Sequence, residues 1–246
     1  MVAPPRLELP FRIRFDECGA DGMLRDSGLL RYAQEMAWIH SEAAGFDRHW
    51  YATRGLIWLV SGAAIEVDRT FQHGETVTVS TEVVEWRRVW ARRRSVFARQ
   101  SEGRSEGSAS RAHIDWVLLG RDGKPVRIPD EIMAAFPDVP VAPFRPVRVV
   151  LGDVPSAAEH RQLVVQGRDL DPMAHVNNAT YLDLAVESLA ILPGPPRHWT
   201  IEFARPSGPG EALTATAWYE ADGSWCYRLA GSDGRDRFRA ALKSPS

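Results

Sequence analysis

The residues best suited to chemistry lie close together in the second half of the chain. Asp171-Pro-Met-Ala-His175-Val-Asn177-Asn178 brings an acid, an imidazole and two carboxamides within eight residues. A strongly apolar, helix-like segment follows. Asn177 or Asn178 can cap that helix, because a side-chain oxygen can accept from backbone N–H groups left free in a first turn. The same N–H groups can polarise a carbonyl oxygen, so the segment predicts a water-activating hydrolase centre.

Each residue of this segment has an expected role. Asp171 is predicted to act as general base or as direct nucleophile, and the sequence leaves both open. His175 can orient the water, help to deprotonate it or protonate the leaving group. Asn177 is assigned to the catalytic group with them. Val176 and Asn178 are assigned to substrate binding, since a substrate carbonyl is expected to face the backbone N–H groups of 176–178.

An internal repeat indicates the elements that position this segment. At an offset of 152 residues, Gly22–Leu30 falls on Ala174–Leu182. Further along the chain the offset becomes 136, and Ile65-Glu-Val matches Ile201-Glu-Phe. Each half therefore predicts the same unit, which is a strand, a buried helix and a run of strands.

The two copies differ where the chemistry is expected. Gly19 stands opposite Asp171, and Met23 stands opposite His175. Only the second half is therefore predicted to be catalytic. Glu187 lies on the apolar helix, but Glu35 occupies the matching position of the first half, so a structural role is expected for Glu187.

The hydrophobic pattern predicts an α+β fold, a tandem (double) hot-dog with two antiparallel sheets, each wrapped around a buried helix. Helices are predicted over Leu29–His40 and Tyr181–Ile191, which are apolar on nearly all sides and hence enclosed. β-Branched and aromatic runs between turn residues predict the strands. The predicted units are 1–136, a proline-rich connector at 137–155, and 156–246 with the active site.

Composition and charge exclude several classes of protein. A formal net charge of −2 over 246 residues argues against nucleic-acid binding. The two cysteines make no disulfide framework, and no Cys/His spacing predicts a metal site. We expect no metal or other cofactor. Neither a signal peptide nor a membrane-spanning apolar run is expected, which predicts a cytoplasmic protein without membrane contact.

Several motifs resemble those of a known family. The pattern Asp169-Leu-Asp171…His175-Val-Asn-Asn178…Tyr181 is similar to the signature of the acyl-ACP thioesterases, which are tandem hot-dog enzymes. Gly55–Val60 and Ile114–Leu119 are similar to that family's first half. The resemblance implies hydrolysis of a fatty acyl thioester to free acid and carrier thiol, with acyl carrier protein or coenzyme A as the carrier.

The chain departs from the family pattern at two places. Met173 stands where the family has Asn, and Pro206 and Ser207 stand where it has Glu and Cys. The local motif is also similar to that of single hot-dog acyl-CoA thioesterases, in which an aspartate at the position of Asp171 does the chemistry. An acyl-CoA thioesterase and a non-catalytic acyl-thioester-binding protein therefore stay open as alternatives. Separately, the protein is expected to be a possible homodimer.

An arginine-rich strand is the last candidate site. Glu85–Arg94 contains five arginines and one acid. It is either a charged sheet edge or a landing surface for an acidic carrier protein or for coenzyme A phosphates. Under the second interpretation, Arg92 and Arg94 bind the substrate.

Overall fold

The computed structural model describes residues 3–99 and 109–244. The strands of the first half are β1 (Arg6–Arg12), β2 (Ile57–Val67), β3 (Thr76–Arg87), β4 (Trp90–Arg99) and β5 (Ser110–Leu119). Those of the second half are β6 (Glu159–Val164), β7 (Arg197–Phe203), β8 (Ala212–Tyr219), β9 (Trp225–Gly231) and β10 (Asp236–Lys243). The helices are α1 (Asp26–Ala43), α2 (Arg48–Arg54), α3 (Asp130–Ala135) and α4 (Asn178–Val186).

The two halves share one sheet. The strand order is β1-β3-β4-β5-β2-β7-β10-β9-β8-β6, so each half contributes five strands. Central strands β2 and β7 pair antiparallel, with Ile65 opposite Trp199 and Ala63 opposite Ile201. The tandem hot-dog fold is confirmed. The two predicted sheets are continuous, because backbone hydrogen bonds between β2 and β7 join them edge to edge.

The core lies between this curved sheet and the two long helices. Leu30, Met36 and Leu182 are fully buried on α1 and α4, and Ile65 and Ile201 meet them from the central strands. α1 packs on β3, α4 packs on β10, and the two helices contact each other. Apolar residues on nearly all sides of α4 therefore find partners, as the pattern predicted.

The second helix ends earlier than the predicted Ile191. The N–H groups of Ser188 and Leu189 donate to the carbonyls three residues before them, which tightens the chain into turns. The Ser188 hydroxyl donates to the carbonyl of Leu184 at 3.1 Å, taking the acceptor that a continuing helix would use. The helix therefore stops at Val186.

Residues 137–158 connect the halves and contain neither helix nor strand. This segment is fixed to the sheet by two buried carboxylates. Val147 N–H donates to Asp115 Oδ2 at 2.6 Å, and Val149 N–H donates to Glu202 Oε2 at 3.1 Å. Because these acids face the connector, they hold it against the outer face of the sheet beside the junction of the two halves.

Candidate active site

The loop before α4 forms a tight turn around its acid. Asp171 N–H donates to the carbonyl of His175 at 2.8 Å, and Ala174 N–H donates to the carbonyl of Asp171 at 3.0 Å. Ala174 closes the turn in the left-handed region, with φ of 59°. Gly22 closes the same turn of the first half with φ of 75°. An alanine in this conformation costs about 1 kcal/mol, so the second copy of the loop is the more strained.

The Asp171 carboxylate is oriented by its own loop. Oδ1 accepts from Met173 N–H at 2.8 Å and from His175 N–H at 3.3 Å. Oδ2 has no hydrogen-bond donor within the described part of the chain. One oxygen is therefore held in place while the other is available to a water molecule or a substrate.

The His175 side chain completes the acid–imidazole pair. Its ring is half-buried and lines the same cleft as Asp171. Neither ring nitrogen is hydrogen-bonded to another described residue. A ring without internal partners is able to exchange a proton with a bound molecule.

The first turn of α4 leaves one backbone donor free. Asn177 caps the helix by accepting from Ala179 N–H at 2.9 Å, and its own N–H donates to the carbonyl of Asp169 at 2.8 Å. Val176 N–H donates to the carbonyl of Ser207 at 3.0 Å. Of the three N–H groups of residues 176–178, only that of Asn178 lacks an acceptor among the described residues. It lies at the positive end of the helix dipole, which favours a developing oxyanion.

Asn178 also links the two halves at the site. Its Nδ2 donates to Gln34 Oε1 at 2.8 Å, and Gln34 Nε2 donates to the carbonyl of Leu30 at 3.2 Å. This chain of hydrogen bonds fixes the amide orientations. The first half thus supplies a positioning group to a site built mainly by the second.

These groups open onto a cleft of about 900 Å³ between the halves. Asp171, His175, Val176 and Asn178 line it together with Met173, Gln34 and Pro206. Two exposed arginines, Arg205 and Arg235, also line it, and neither has an ion pair or side-chain hydrogen bond with another described residue. The cleft therefore combines an acid, an imidazole and a backbone donor with free positive charge.

The geometry restricts the roles of three residues that the sequence brought forward. Val176 lines the cleft, but its N–H donates to the carbonyl of Ser207 and is not free to bind a substrate. Asn177 is occupied as the helix cap and does not line the cleft, so its catalytic assignment stays a prediction that this geometry does not favour. Glu187 is exposed beyond the far end of α4 and is not placed to assist Asp171.

Arg92 and Arg94 lie outside the cleft lining. Arg92 makes a bidentate pair with the buried Asp115, at 2.7 and 2.9 Å, and covers the ring of Phe144. Arg94 pairs with Glu82 at 2.6 Å. Both guanidinium groups therefore stabilise the sheet and the connector, and their predicted contact with a carrier stays a prediction.

The residues that fill the family's Glu and Cys positions take different places. Pro206 lines the cleft. Ser207 is fully buried beneath it, where its N–H donates to the hydroxyl of Tyr181 at 2.9 Å. Met173 is 42% exposed at the rim. None of the three side chains is a base, so Asp171 and His175 are the only titratable groups of the motif that face the cleft.

The matching place of the first half is filled by the protein itself. Asp26 stands where the repeat has Asn178, and Arg197 binds it through two contacts of 2.5 and 2.8 Å. Trp199 Nε1–H adds a third contact at 2.7 Å. All three residues are buried. The N-terminus of α1 is thereby closed to any substrate, which agrees with a single site in the second half.

Sequence reasoning missed Gln34 and the two rim arginines as site residues. Gln34 is 144 positions from Asn178, so only the packing of α1 on α4 brings them together. Arg205 follows β7 without neighbouring basic residues, whereas Arg235 lies in the turn between β9 and β10 and opens the run Arg235-Asp-Arg237-Phe-Arg239, which could have marked it. Arg205 could also have been recognised from the family resemblance, since it directly precedes Pro206, which stands where the family has its Glu.

Residues 3–99 and 109–244 contain no cluster of three or more His, Cys, Asp or Glu that could hold a metal ion. In the same ranges, no helix is long and apolar enough to cross a membrane.

The fold and this cleft define a double hot-dog protein with one open site and one closed one. The chain belongs to the acyl-ACP thioesterase family: the acyl-ACP thioesterase N-terminal domain matches residues 7–136, and the C-terminal domain matches residues 153–242.

Individual relatives agree with this placement. The chloroplastic acyl-acyl-carrier-protein hydrolase FATB2 of Cuphea viscosissima is 30% identical over 191 residues, which is 72% of this chain and 46% of the plant protein. This chain spans about half the length of the curated plant relatives it matches. The acyl-ACP thioesterase from Bacteroides thetaiotaomicron superposes with a TM-score of 0.81 at 17% identity, covering 97% of each chain. The 12:0-ACP thioesterase from Umbellularia californica gives a TM-score of 0.78 at 20% identity over 99% of this chain and 98% of its own.

Proposed function

We propose that this chain is a thioesterase that hydrolyses fatty acyl-ACP to a free fatty acid and the carrier thiol. The observation that carries the proposal is the convergence of three groups on one cleft: the Asp171 carboxylate, the His175 imidazole and the free N–H of Asn178. Membership of the acyl-ACP thioesterase family supports the choice of substrate.

The chemistry follows from the roles that these groups can take. The thioester carbonyl oxygen accepts from Asn178 N–H, so the helix dipole stabilises the negative charge that develops there. Water attacks the carbonyl carbon while Asp171 Oδ2 takes its proton. The C–S bond then breaks, and the proton reaches the departing thiolate through His175. Direct attack by Asp171, giving an acyl anhydride that water opens, uses the same geometry.

A carrier thioester suits the charge at the rim. Both acyl carrier protein and coenzyme A present phosphate next to a pantetheine arm, and Arg205 and Arg235 offer unpaired guanidinium groups at the cleft. Acyl carrier protein is also acidic as a whole, which favours it over coenzyme A as the partner. The cytoplasmic location and the homodimer stay predictions.

The rival is a binding protein that holds acyl thioesters without cleaving them. The observation in its favour is the absence of a second acid at Pro206 and of a carboxamide at Met173, both of which line the cleft. Under this alternative the cleft binds acyl-ACP at one equivalent and releases no thiol.

Thiol release from acyl-ACP and acyl-CoA over a range of chain lengths tests the proposal. Asp171→Asn is the decisive variant, because its amide oxygen can still accept from Met173 N–H and so preserves the turn. We expect kcat to fall by about 10²-fold or more. Asp21→Asn is the matched control, since Asp21 Oδ1 accepts from Met23 N–H at 2.9 Å in the first copy of the loop. Equal activity of wild type and Asp171→Asn, or stoichiometric binding without turnover, would contradict the proposal.

A single turnover in ¹⁸O-labelled water separates the two roles of Asp171. A general base sends the label into the fatty acid only, whereas water that opens an anhydride at Asp171 Cγ leaves the label in the aspartate. Opening of the anhydride at the acyl carbon labels the fatty acid again. Trapping with hydroxylamine covers this last case, because only an anhydride can give a hydroxamate on the Asp171 side chain itself.

A further inference from the structure

A small aromatic cavity lies behind the active-site cleft in the first half. It encloses about 50 Å³, room for a few heavy atoms at the end of a chain or for one or two waters. Gln34, Trp58 and Trp116 line both this cavity and the cleft. These three side chains form the wall between the two spaces, so the end of an acyl group whose carbonyl lies at Asn178 would enter the cavity by displacing them.

Arg93 places a positive charge at this cavity. Arg93 lines the cavity, and its guanidinium donates to His40 Nδ1 at 3.0 Å. Burial lowers the pKa of Arg93 to about 10, so the group is still charged at neutral pH. No carboxylate in the described part of the chain pairs with it. A desolvated charge without a counter-ion is costly and favours any acceptor that can enter.

Among the described polar groups around the cavity, only His40 accepts from the Arg93 guanidinium. Burial and the positive charge of Arg93 lower the pKa of His40 to about 4, and His40 Nε2–H donates to the carbonyl of Pro4 at 2.7 Å. Trp58 Nε1–H donates to the Tyr51 hydroxyl at 3.0 Å, and that hydroxyl lies 3.0 Å from Ser41 Oγ. Because Ser41 donates onward to the carbonyl of Phe46, Tyr51 gives its proton to Ser41. Both hydroxyl protons are therefore used within the network, and neither hydroxyl bonds to Arg93.

Two further donors at the cavity have no acceptor. Trp86 and Trp116 both line it, and the Nε1–H of each is buried without a hydrogen bond to any described residue. Buried polar groups are normally hydrogen-bonded, so two unpaired indole N–H groups at one cavity suggest a missing acceptor. Arg93, Trp86 and Trp116 therefore bring donors to a space whose other walls are mostly aromatic and aliphatic.

We propose that this cavity recognises an oxygen acceptor at the far end of the acyl group, so that the preferred substrates are oxygenated acyl thioesters, bearing a terminal hydroxyl or carboxylate. Arg93 and the two indole N–H groups bind the oxygen, and the aromatic walls pack on the adjoining methylenes. This inference rests on the proposed thioesterase function, and it adds which acyl groups that site selects.

Binding of non-hydrolysable acyl-pantetheine thioethers tests the inference separately from turnover. Three series of matched chain length are compared by calorimetry, ending in a methyl, a hydroxyl or a carboxylate group. At the best length we expect an oxygenated end to bind at least tenfold more tightly than the methyl end. A comparison of the affinities of the hydroxyl and carboxylate series then shows whether the cavity prefers a neutral or a charged oxygen.

Two variants remove the donors in different ways. Arg93→Met should abolish the preference for the oxygenated end while methyl-ended ligands still bind. Trp86→Phe with Trp116→Phe keeps an aromatic ring at each position but removes both indole N–H groups. This double variant should reduce the preference for the oxygenated end severalfold, and it tests the inference even if Arg93→Met fails to fold. Arg111→Met is the control, since Arg111 pairs with Glu66 and Asp68 on the outer sheet face.

The outcomes separate the two proposals. This inference alone would be overturned if methyl-ended ligands bound as tightly as oxygenated ones at every length and the variants changed nothing. Water molecules would then be the acceptors for the unpaired donors. Failure of all three series to bind would overturn the proposed function as well.

Discussion

Arg31 and Asp183 form an ion pair across the two halves, with 2.7 Å between Nη2 and Oδ2. The two positions differ by 152 residues, which is the offset of the internal repeat. They therefore occupy the same place on α1 and α4, and the pair lies where the two copies face each other. Identical residues here would bring like charges together. Fusion into one chain allows the two copies to carry opposite charges at this point.

Exchange of these charges tests that relationship. Asp183→Arg alone places two guanidinium groups together and should lower the free energy of unfolding by about 1 kcal/mol or more. Arg31→Asp combined with Asp183→Arg restores opposite charges and should recover most of the loss. Urea denaturation of the wild type, both single variants and the double variant gives the coupling energy.

The exposed pair Arg54–Glu131, at 3.3 Å, is the control for this cycle. Its charge exchange should change the stability by only a few tenths of a kcal/mol, because solvent screens it. A double variant of Arg31 and Asp183 no more stable than Asp183→Arg would show that the two side chains do not interact energetically.

Repeat and periodicity were enough to predict the fold. The 152-residue offset and the apolar surface located both helices, and β-branched and aromatic runs between turn residues located most strands. Pairing between β2 and β7 was not predictable. Both strands are apolar on the side that faces the core, and nothing in that pattern distinguishes a central strand from an edge strand.

Site chemistry was predictable only where it is local in sequence. Asp171 and His175 line the cleft as the motif indicated, since one short turn places both. Arg92 was assigned to a carrier because it belongs to a run of five arginines. Its partner Asp115 lies 23 residues away, directly opposite on the neighbouring strand, and was not recognised from the sequence. The pairing register of two strands depends on the tertiary fold, and a run of charged residues in the sequence does not reveal it.

Rim arginines are expected to govern carrier binding. Arg205→Glu with Arg235→Glu replaces two unpaired positive charges with negative ones at the cleft. The variant should raise KM for acyl-ACP and flatten its dependence on salt, because screened attraction no longer steers the carrier. Turnover of a short acyl-pantetheine thioester should change little. Steady-state kinetics between low and high ionic strength measures both effects.

Arg94→Glu tests the competing sequence-based assignment in the same assay. Arg94 already pairs with Glu82, so its reversal should affect stability more than KM. A larger rise in KM from Arg94→Glu than from the Arg205 and Arg235 variant would return the carrier surface to the arginine-rich strand. Equal losses on acyl-ACP and acyl-pantetheine would instead indicate damage to the site itself.

His40 should make the protein less stable in mild acid. Its ring is fully buried, and burial together with Arg93 lowers its pKa from 6.5 to about 4. The unfolded chain therefore binds the proton more tightly than the folded protein does between these values. The stabilisation is fully present above pH 6.5 and is lost as the pH falls towards 4, by up to about 3 kcal/mol. Protonation would also put an N–H on Nδ1, facing the Arg93 donor.

The variant His40→Gln isolates this effect from the carboxylates that titrate in the same range. Its amide oxygen can accept from Arg93 and its amide nitrogen can donate to Pro4, but it takes up no proton. Urea denaturation from pH 7.5 to 4.5 should show a steeper loss of stability for the wild type than for His40→Gln. The difference should amount to about 2 kcal/mol at the acid end. Parallel curves for the two proteins would mean that His40 titrates alike in the folded and unfolded states, and that its hydrogen bond with Arg93 does not select the neutral ring.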